Sequence, residues 1–410
     1  MDPRSLSIAF VVLHTSPLDE PGTKDAGGMN VVVRAQAEEL AREGHRVQLI
    51  TRRSSPEQPA EARLAPNLTA HHLDAGPARL LAKGEHEALI GAFGQALAAH
   101  LAEHPAGIVH AEHWYSGLAA LPVARALGIP IVQSYHSIAA AEEAPLTEGE
   151  RPEAPGRLAG ERRLAREVDL VVAVSEAERA TVVERLGGSP ARVRVVAPGV
   201  DTEVFRPLAE GEAGGGDARP ALVTVGRLHP LKGFDLAIAA VAELLERADP
   251  PPERCPVLRI VGDPPPDGDD YVRALHAAVD RAGLDGTVFF DGSQRRDELA
   301  ETLRRAAIVL IPSHSETFGL VTLEAAASGV PVIARAVGGL REAVRHEATG
   351  LLIESDDPAV WADEIEQVLA DRELAGRMGR AGRESALTHD WRASAAALLE
   401  AYASIEPLAS

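Results

Sequence analysis

Short apolar runs rich in Val, Ile and Leu alternate along the chain with longer stretches of helical period. The first run, residues 8–13, reads as a buried strand. Residues 30–42 follow as a helix with Val31, Ala35 and Leu40 on its apolar side. Strands are then predicted over 47–51, 108–111, 131–135, 170–174 and 193–196, with helices over 86–100 and 117–127 and another opening at Ser175. Ser175 with Glu178 fits a capping box, and Pro198 with Gly199 marks a turn. Residues 208–220 are polar, Gly-rich and without period, as an interdomain linker would be. Beyond them the alternation restarts, with strands over 221–225, 257–261, 287–290, 308–311 and 331–334. The helices between them run over 235–247, 271–282, 296–305 and 320–328. Such repeats on both sides of a linker predict an α/β chain. Its two Rossmann-like, doubly wound parallel-sheet domains, residues 1–207 and 221–388, would face each other across a cleft. Ligands in such sheets bind beyond the carboxyl ends of the strands. The last segment, from residue 389, is an amphipathic helix carrying Trp391, Leu398, Leu399 and Tyr402.

Composition narrows the function. A length of 410 residues suits two domains. The net charge of −20 argues against a nucleic-acid partner, which needs a basic face. The single cysteine, Cys255, allows no internal disulfide and fits a reducing compartment. No run of about 20 apolar residues offers a membrane span, and the N-terminal apolar run is too short for a secretory signal. A cytoplasmic protein without a membrane partner is the expectation.

Three loops carry charge or exposed amides where the topology places ligands. Gly27 and Gly28 precede the first helix, where backbone can approach an anion closely. Arg227 and Lys232, five residues apart, lie on a Gly- and Pro-shaped loop between a strand and a helix. A planar guanidinium and an ammonium on such a loop suit a diphosphate. Glu316 and Glu324 bracket a helix start at which the amides of Phe318, Gly319 and Leu320 would point at an anion. A carboxylate there can accept two hydroxyl hydrogen bonds from a sugar or ribose. His136 ends a strand at the same level. His110 and His113 flank Glu112 without a third ligand, so no metal is expected. Nor does any nucleophile elbow surround Ser175.

Taken together, Gly27-Gly28, Arg227 with Lys232, and the E-x7-E from Glu316 to Glu324 resemble the retaining glycosyltransferases of family 4, which have the GT-B fold. The resemblance covers nearly the whole chain. Residues 14–30 and the run Val337, Gly338, Gly339, Leu340 are similar to the D-inositol 3-phosphate N-acetylglucosaminyltransferases of mycothiol biosynthesis. The resemblance implies that Arg227 and Lys232 bind the donor diphosphate with help from the amides of Phe318, Gly319 and Leu320. It gives Glu316 the donor sugar hydroxyls, Glu324 the ribose, Gly28 an approach to the diphosphate from the first domain, and His136 a place at the reaction centre. The C-terminal helix, 389–410, would cross back to the first domain. A UDP-sugar is the implied donor, with GDP and ADP donors known among relatives; no other cofactor is required. A homodimer is one expectation, since relatives are often dimers.

On the acceptor side the resemblance assigns Asn30, Lys83, His113, Ser137 and Arg157. Lys83 and Arg157 stand where relatives hold an acceptor phosphate with two cations. Ser137 stands for a Thr, and His113 for a Tyr. Glu142 and Glu143 replace a Lys-Asn pair, and acids beside a phosphate would be unfavourable. The acceptor is therefore either an inositol phosphate or another small molecule such as an aminocyclitol or a thiol. A nucleotide-sugar binder without catalysis is the reading from another class.

Overall fold

The computed structural model describes residues 5–20, 27–141, 153–209, 219–248, 255–265 and 268–405, with the side chains of Lys83 and Ala248 excepted. Two parallel sheets organise the chain. The first contains β1 (Ser7–Val12), β2 (Arg46–Arg52), β3 (Glu61–Ala65), β4 (Leu68–Leu73), β5 (Ile108–Glu112), β6 (Ile131–Ser134), β7 (Leu170–Ala173) and β8 (Val193–Val195). Their order is β3-β4-β2-β1-β5-β6-β7-β8. All neighbours are parallel except the edge pair β3 and β4. The second contains β9 (Ala221–Val225), β10 (Val257–Val261), β11 (Val288–Gly292), β12 (Ile308–Ile311), β13 (Val332–Arg335) and β14 (Gly350–Ile353), in the order β11-β10-β9-β12-β13-β14 and parallel throughout.

In each sheet the first strand in sequence is central, and later strands are laid down to one side and then the other. That reversal opens a crevice at the carboxyl ends of β1 and β5, and of β9 and β12. Strands β1, β7, β12 and β13 are almost wholly apolar because helices cover both of their faces. Apolar clusters lie on either side of each sheet.

Three strands escaped the apolar pattern. β4 reads Leu-Thr-Ala-His-His-Leu, β14 is only four residues long behind a glycine, and β3 is an exposed edge strand. The stretch predicted as one helix over 86–100 opens with a 3-10 turn, Glu87–Leu89, before the helix Ile90–Glu103, and another such turn, Lys83–Glu85, precedes it. The helix predicted from residue 117 begins directly off β5 and spans His113–Leu127.

The C-terminal helix Trp391–Ala403 packs on the first sheet, burying Ala395, Leu398, Ala401 and Tyr402 with residues of β1, β2 and the helix Gly28–Arg42. Gln36 donates to Ser394 Oγ at 3.1 Å, Ser394 donates to Ala197 O at 2.8 Å, and His110 Nδ1 pairs with the Tyr402 hydroxyl at 2.7 Å. Where the chain leaves the first sheet it meets this returning segment. Val200 N donates to His389 O at 2.8 Å, and a side chain at Gly199 would meet the Asp390 and Trp391 backbone at 2.6 Å. Most of the predicted linker, residues 210–218, lies outside the described residues.

Candidate active site between the two lobes

The loop after β9 is pinned on both sides. Gly226 N donates to Val261 O and Leu228 N to Asp263 O, each at 3.0 Å. A 3-10 turn, Pro230–Lys232, follows, its start capped by His229, whose Nδ1 accepts from Leu231 N at 3.3 Å. Gly233 closes the turn at φ 67°, and a Cβ there would lie 2.2 Å from Pro312 O, so only glycine lets this loop nest against the end of β12. The turn delivers Lys232 to Glu316, with Nζ 2.5 Å from Oε2 and both side chains partly exposed at 31% and 16%.

Glu316 belongs to the loop that runs into the helix Leu320–Ala327. Its position is set by a second loop. Gly339 N donates to Glu316 O at 3.0 Å, and side chains at Gly338 or Gly339 would each strike a carbonyl oxygen, of Glu316 or Thr317, at 2.1 Å. Gly319 takes φ 91° at the helix start, where the first amides have no partner within the helix. The ammonium, the carboxylate and this helix start thus occupy one spot. Deeper in the helix, buried Glu324 accepts from Arg296 at 3.2 Å, and Arg296 also lies over the Phe205 ring at 5.0 Å. Burial pushes the Glu324 carboxyl up, partly opposed by Arg296.

The first lobe faces this spot with its glycines. A Cβ at Gly27 would sit 3.9 Å from Arg227 Nε, and one at Gly28 would sit 3.1 Å from Leu320 Cδ1. The Gly27-Gly28 turn is held by Asn30, whose Oδ1 accepts from Gly27 N at 3.1 Å while Nδ2 donates to Thr15 Oγ1 at 3.0 Å and Ser16 O at 2.7 Å.

Direct bonds tie the lobes together. Thr317 Oγ1 donates to His136 O at 2.9 Å, Ser175 Oγ donates to Thr317 O at 2.7 Å, and the Glu342 carboxylate accepts from Glu176 N and Ala177 N, both at 2.9 Å. A carboxylate at the start of the helix Glu176–Ala180 also suits the helix dipole. The capping pattern at Ser175 is half of a box. Ser175 Oγ accepts from Glu178 N at 3.1 Å, but Glu178 reaches Val174 N at 2.7 Å instead of Ser175.

His136, at φ 58°, leads from β6 into the cleft. Its Nε2 lies 2.5 Å from Oε2 of Glu112, which is buried and also 3.5 Å from His110. Burial draws the imidazole down, but Glu112, through charge and hydrogen bond, and Glu178 more than offset it, leaving a net upward displacement. Burial has pushed Glu178 itself up to about 7. The imidazolium's contribution to stability is full below the ordinary histidine range and is lost as pH rises through the raised folded value. Glu112→Gln leaves burial as the main influence, so the His136 midpoint followed by NMR is expected to fall below its ordinary range. An unchanged midpoint would show that Glu112 does not set it.

Residues 26–204 match the family model described as Glycosyltransferase Family 4, and residues 212–385 match Glycosyl transferases group 1. The D-inositol 3-phosphate glycosyltransferase of Frankia alni is 40% identical over 397 residues, covering 95% of this chain and 97% of the relative. Its counterpart from Saccharomonospora viridis is 37% identical, covering 96% and 93%. The chain belongs to glycosyltransferase family 4. Among solved structures, sucrose-phosphate synthase from Thermosynechococcus elongatus is similar with a TM-score of 0.86 and 29% identity, over 97% of this chain and 98% of that one. Anabaena HepE, solved with UDP-glucose, gives a TM-score of 0.73 at 20% identity, over 97% and 100%. The fold is GT-B.

The residues expected on the acceptor side divide. Ser137 is exposed beside His136, and its Oγ accepts from Arg157 at 2.9 Å. Arg157 is buried under it in a web of carboxylates. His113, at φ 69°, is buried with its ring 4.4 Å from that of His14 and 5.0 Å from that of Tyr115. Asn30 has both ends of its amide engaged by the protein. Lys83 opens a 3-10 turn, with its side chain outside the described set, and Glu142 and Glu143 lie outside the described residues. Among the described residues no three His, Cys, Asp or Glu side chains are grouped to hold a metal ion, and no helix is long and apolar enough to cross a membrane.

Sequence reasoning missed Ser175 and Thr317 as a bridge between lobes, Glu342 as a clasp and Arg296 as the partner of Glu324. These pairings span up to 181 positions, and no local pattern signals them. The Glu153, Arg157, Glu161 spacing was a readable signal, since residues four apart on a helix pair their charges.

Proposed function

We propose that this glycosyltransferase moves a sugar, foremost N-acetylglucosamine from UDP, onto a hydroxyl of a small polar acceptor of the inositol class, with retention of anomeric configuration. The observation that carries the reading is the meeting of Lys232 and Glu316 at the start of the helix Leu320–Ala327, opposite Arg227 and Gly27. A diphosphate placed there is held by ammonium, guanidinium and amides, and Glu316 is free to turn to the sugar hydroxyls. The naming of the curated relatives supports the acceptor class, and HepE's binding of UDP-glucose supports the donor class.

In this reading the bond from the anomeric carbon to the diphosphate oxygen breaks as the acceptor oxygen bonds the same carbon from the same face. The acceptor proton passes to a departing phosphate oxygen. Arg227, Lys232 and the amides of Phe318, Gly319 and Leu320 stabilise the charge that develops on the leaving group. Fixed cations supply what a bound metal supplies elsewhere. The lobe-to-lobe bonds through Thr317, Ser175 and Glu342 keep water from the donor while the site is closed.

The test is incubation with UDP-, GDP- and ADP-sugars and cyclitol acceptors, following free nucleoside diphosphate and reading the anomeric coupling of the product by proton NMR. Release of UDP with an axial linkage from an axial donor is expected. An inverted linkage would remove the retaining mechanism, and no release with any donor would remove the enzymatic reading.

A further inference from the structure

Glu324 is held by a cation from another helix. It lies four residues beyond Leu320 in the helix Leu320–Ala327, one turn or about 5.4 Å from the amides at the helix start. The residue is buried, and Arg296 Nη1 donates to its Oε1 at 3.2 Å. Arg296 opens the helix Arg296–Arg304, which follows β11. A cation in a first turn opposes the helix dipole, so that helix gains nothing from an arginine there.

The guanidinium is fixed from its other side. Its central carbon lies 5.0 Å from the centre of the Phe205 ring, within range of a cation–π contact. Phe205 is fully buried, its N donating to Asp201 O and its O accepting from Arg383 Nη1, each at 2.9 Å. Arg296 is thus set between a ring and a carboxylate before any ligand arrives.

Its charge decides what Glu324 can do. A carboxyl group buried without a partner keeps its proton and becomes a donor. Burial does push Glu324 up, and Arg296 opposes the push through charge and hydrogen bond. Ionised, the group only accepts, with about four lone-pair sites, and the bond from Arg296 uses one of them. A pair of neighbouring hydroxyls needs such an acceptor. In a nucleoside diphosphate the ribose hangs directly off the inner phosphate. With the diphosphate at the helix start, the ribose hydroxyls therefore fall about one helical turn away, at Glu324.

Resting on the glycosyltransferase reading above, we propose that Arg296 is a positioning residue for the nucleoside half of the donor. It fixes Glu324 as an acceptor for the ribose hydroxyls and so sets the preference of the site for ribonucleotides.

The experiment is calorimetric titration of the full chain with UDP, GDP and ADP, and then with the dideoxy form, lacking both ribose hydroxyls, of whichever binds most tightly. The wild type is expected to bind the ribonucleotide about tenfold or more tighter, since a site built to hydrogen-bond a hydroxyl rejects the ligand that lacks it. Arg296→Met keeps an unbranched apolar side chain against Phe205 and removes the charge. It should lower affinity for the ribonucleotide about tenfold and for the dideoxy form by less than about twofold. Arg296→Lys, which keeps a cation, should fall between the two. In a Glu324→Gln background Arg296→Met should have no further effect, because the two residues act as a unit. Equal losses for both nucleotides, or a discrimination unmoved by Arg296→Met, would overturn this inference and leave glycosyl transfer standing. Binding of none of the three nucleotides would overturn both.

Discussion

Lys232→Ala is expected to lower kcat by about 10²–10³-fold while changing the affinity for the nucleotide sugar far less. The ammonium lies 2.5 Å from Glu316 at the start of the helix Leu320–Ala327, where charge on a departing diphosphate would build. A fixed cation at that point matters most as the bond breaks, so its loss falls on kcat more than on ground-state binding. Lys232→Arg should recover only part of the loss, because a planar fork cannot take the place of a point charge on a turn this tightly pinned. Steady-state kinetics, with calorimetric titration of UDP for affinity, separates the two effects. Turnover of Lys232→Ala near the wild-type value would remove Lys232 from the leaving-group site.

The second large effect involves no charge. Gly339→Ala is expected to lower kcat by roughly 10²-fold with the fold retained. At Gly339 a methyl group would lie 2.1 Å from Thr317 O and 2.7 Å from Phe318 Cα, both backbone atoms that cannot rotate away. The loop carrying Glu316, Thr317 and Phe318 must shift, and a displacement of about 1 Å at a site that works by positioning costs on the order of 10² in rate. The strands on either side are untouched, so cooperative thermal unfolding should persist. Gly91→Ala is the control, since a Cβ there meets nothing within 4 Å and the residue lies in the first turn of the helix Ile90–Glu103, which alanine suits better than glycine. Activity of Gly339→Ala equal to that of the control would show that this loop does not set the site.

These two positions also show what the chain discloses before folding. The core strands announce themselves as runs such as Ile-Val-Leu-Ile at β12 because both faces are covered. β4 does not, since its His71 and His72 are polar residues buried by packing that no local pattern encodes. The loops around Arg227, Lys232 and Glu316 were legible because glycine, proline and charge cluster at a strand end. Their mutual arrangement was not legible, because Lys232 meets Glu316 across 84 positions and Thr317 meets His136 across 181. Arg157 is the instructive case. The resemblance gives it an acceptor phosphate, and in the structure its guanidinium is paired with Glu153 and Glu161, each four residues away.

The most direct measurement of the central claim is a structure of the protein with UDP bound. The diphosphate is predicted to lie within hydrogen-bonding reach of Arg227, Lys232 and the amides of Phe318, Gly319 and Leu320, with Glu316 released from Lys232. A diphosphate bound elsewhere, with Lys232 still closed on Glu316, would contradict it.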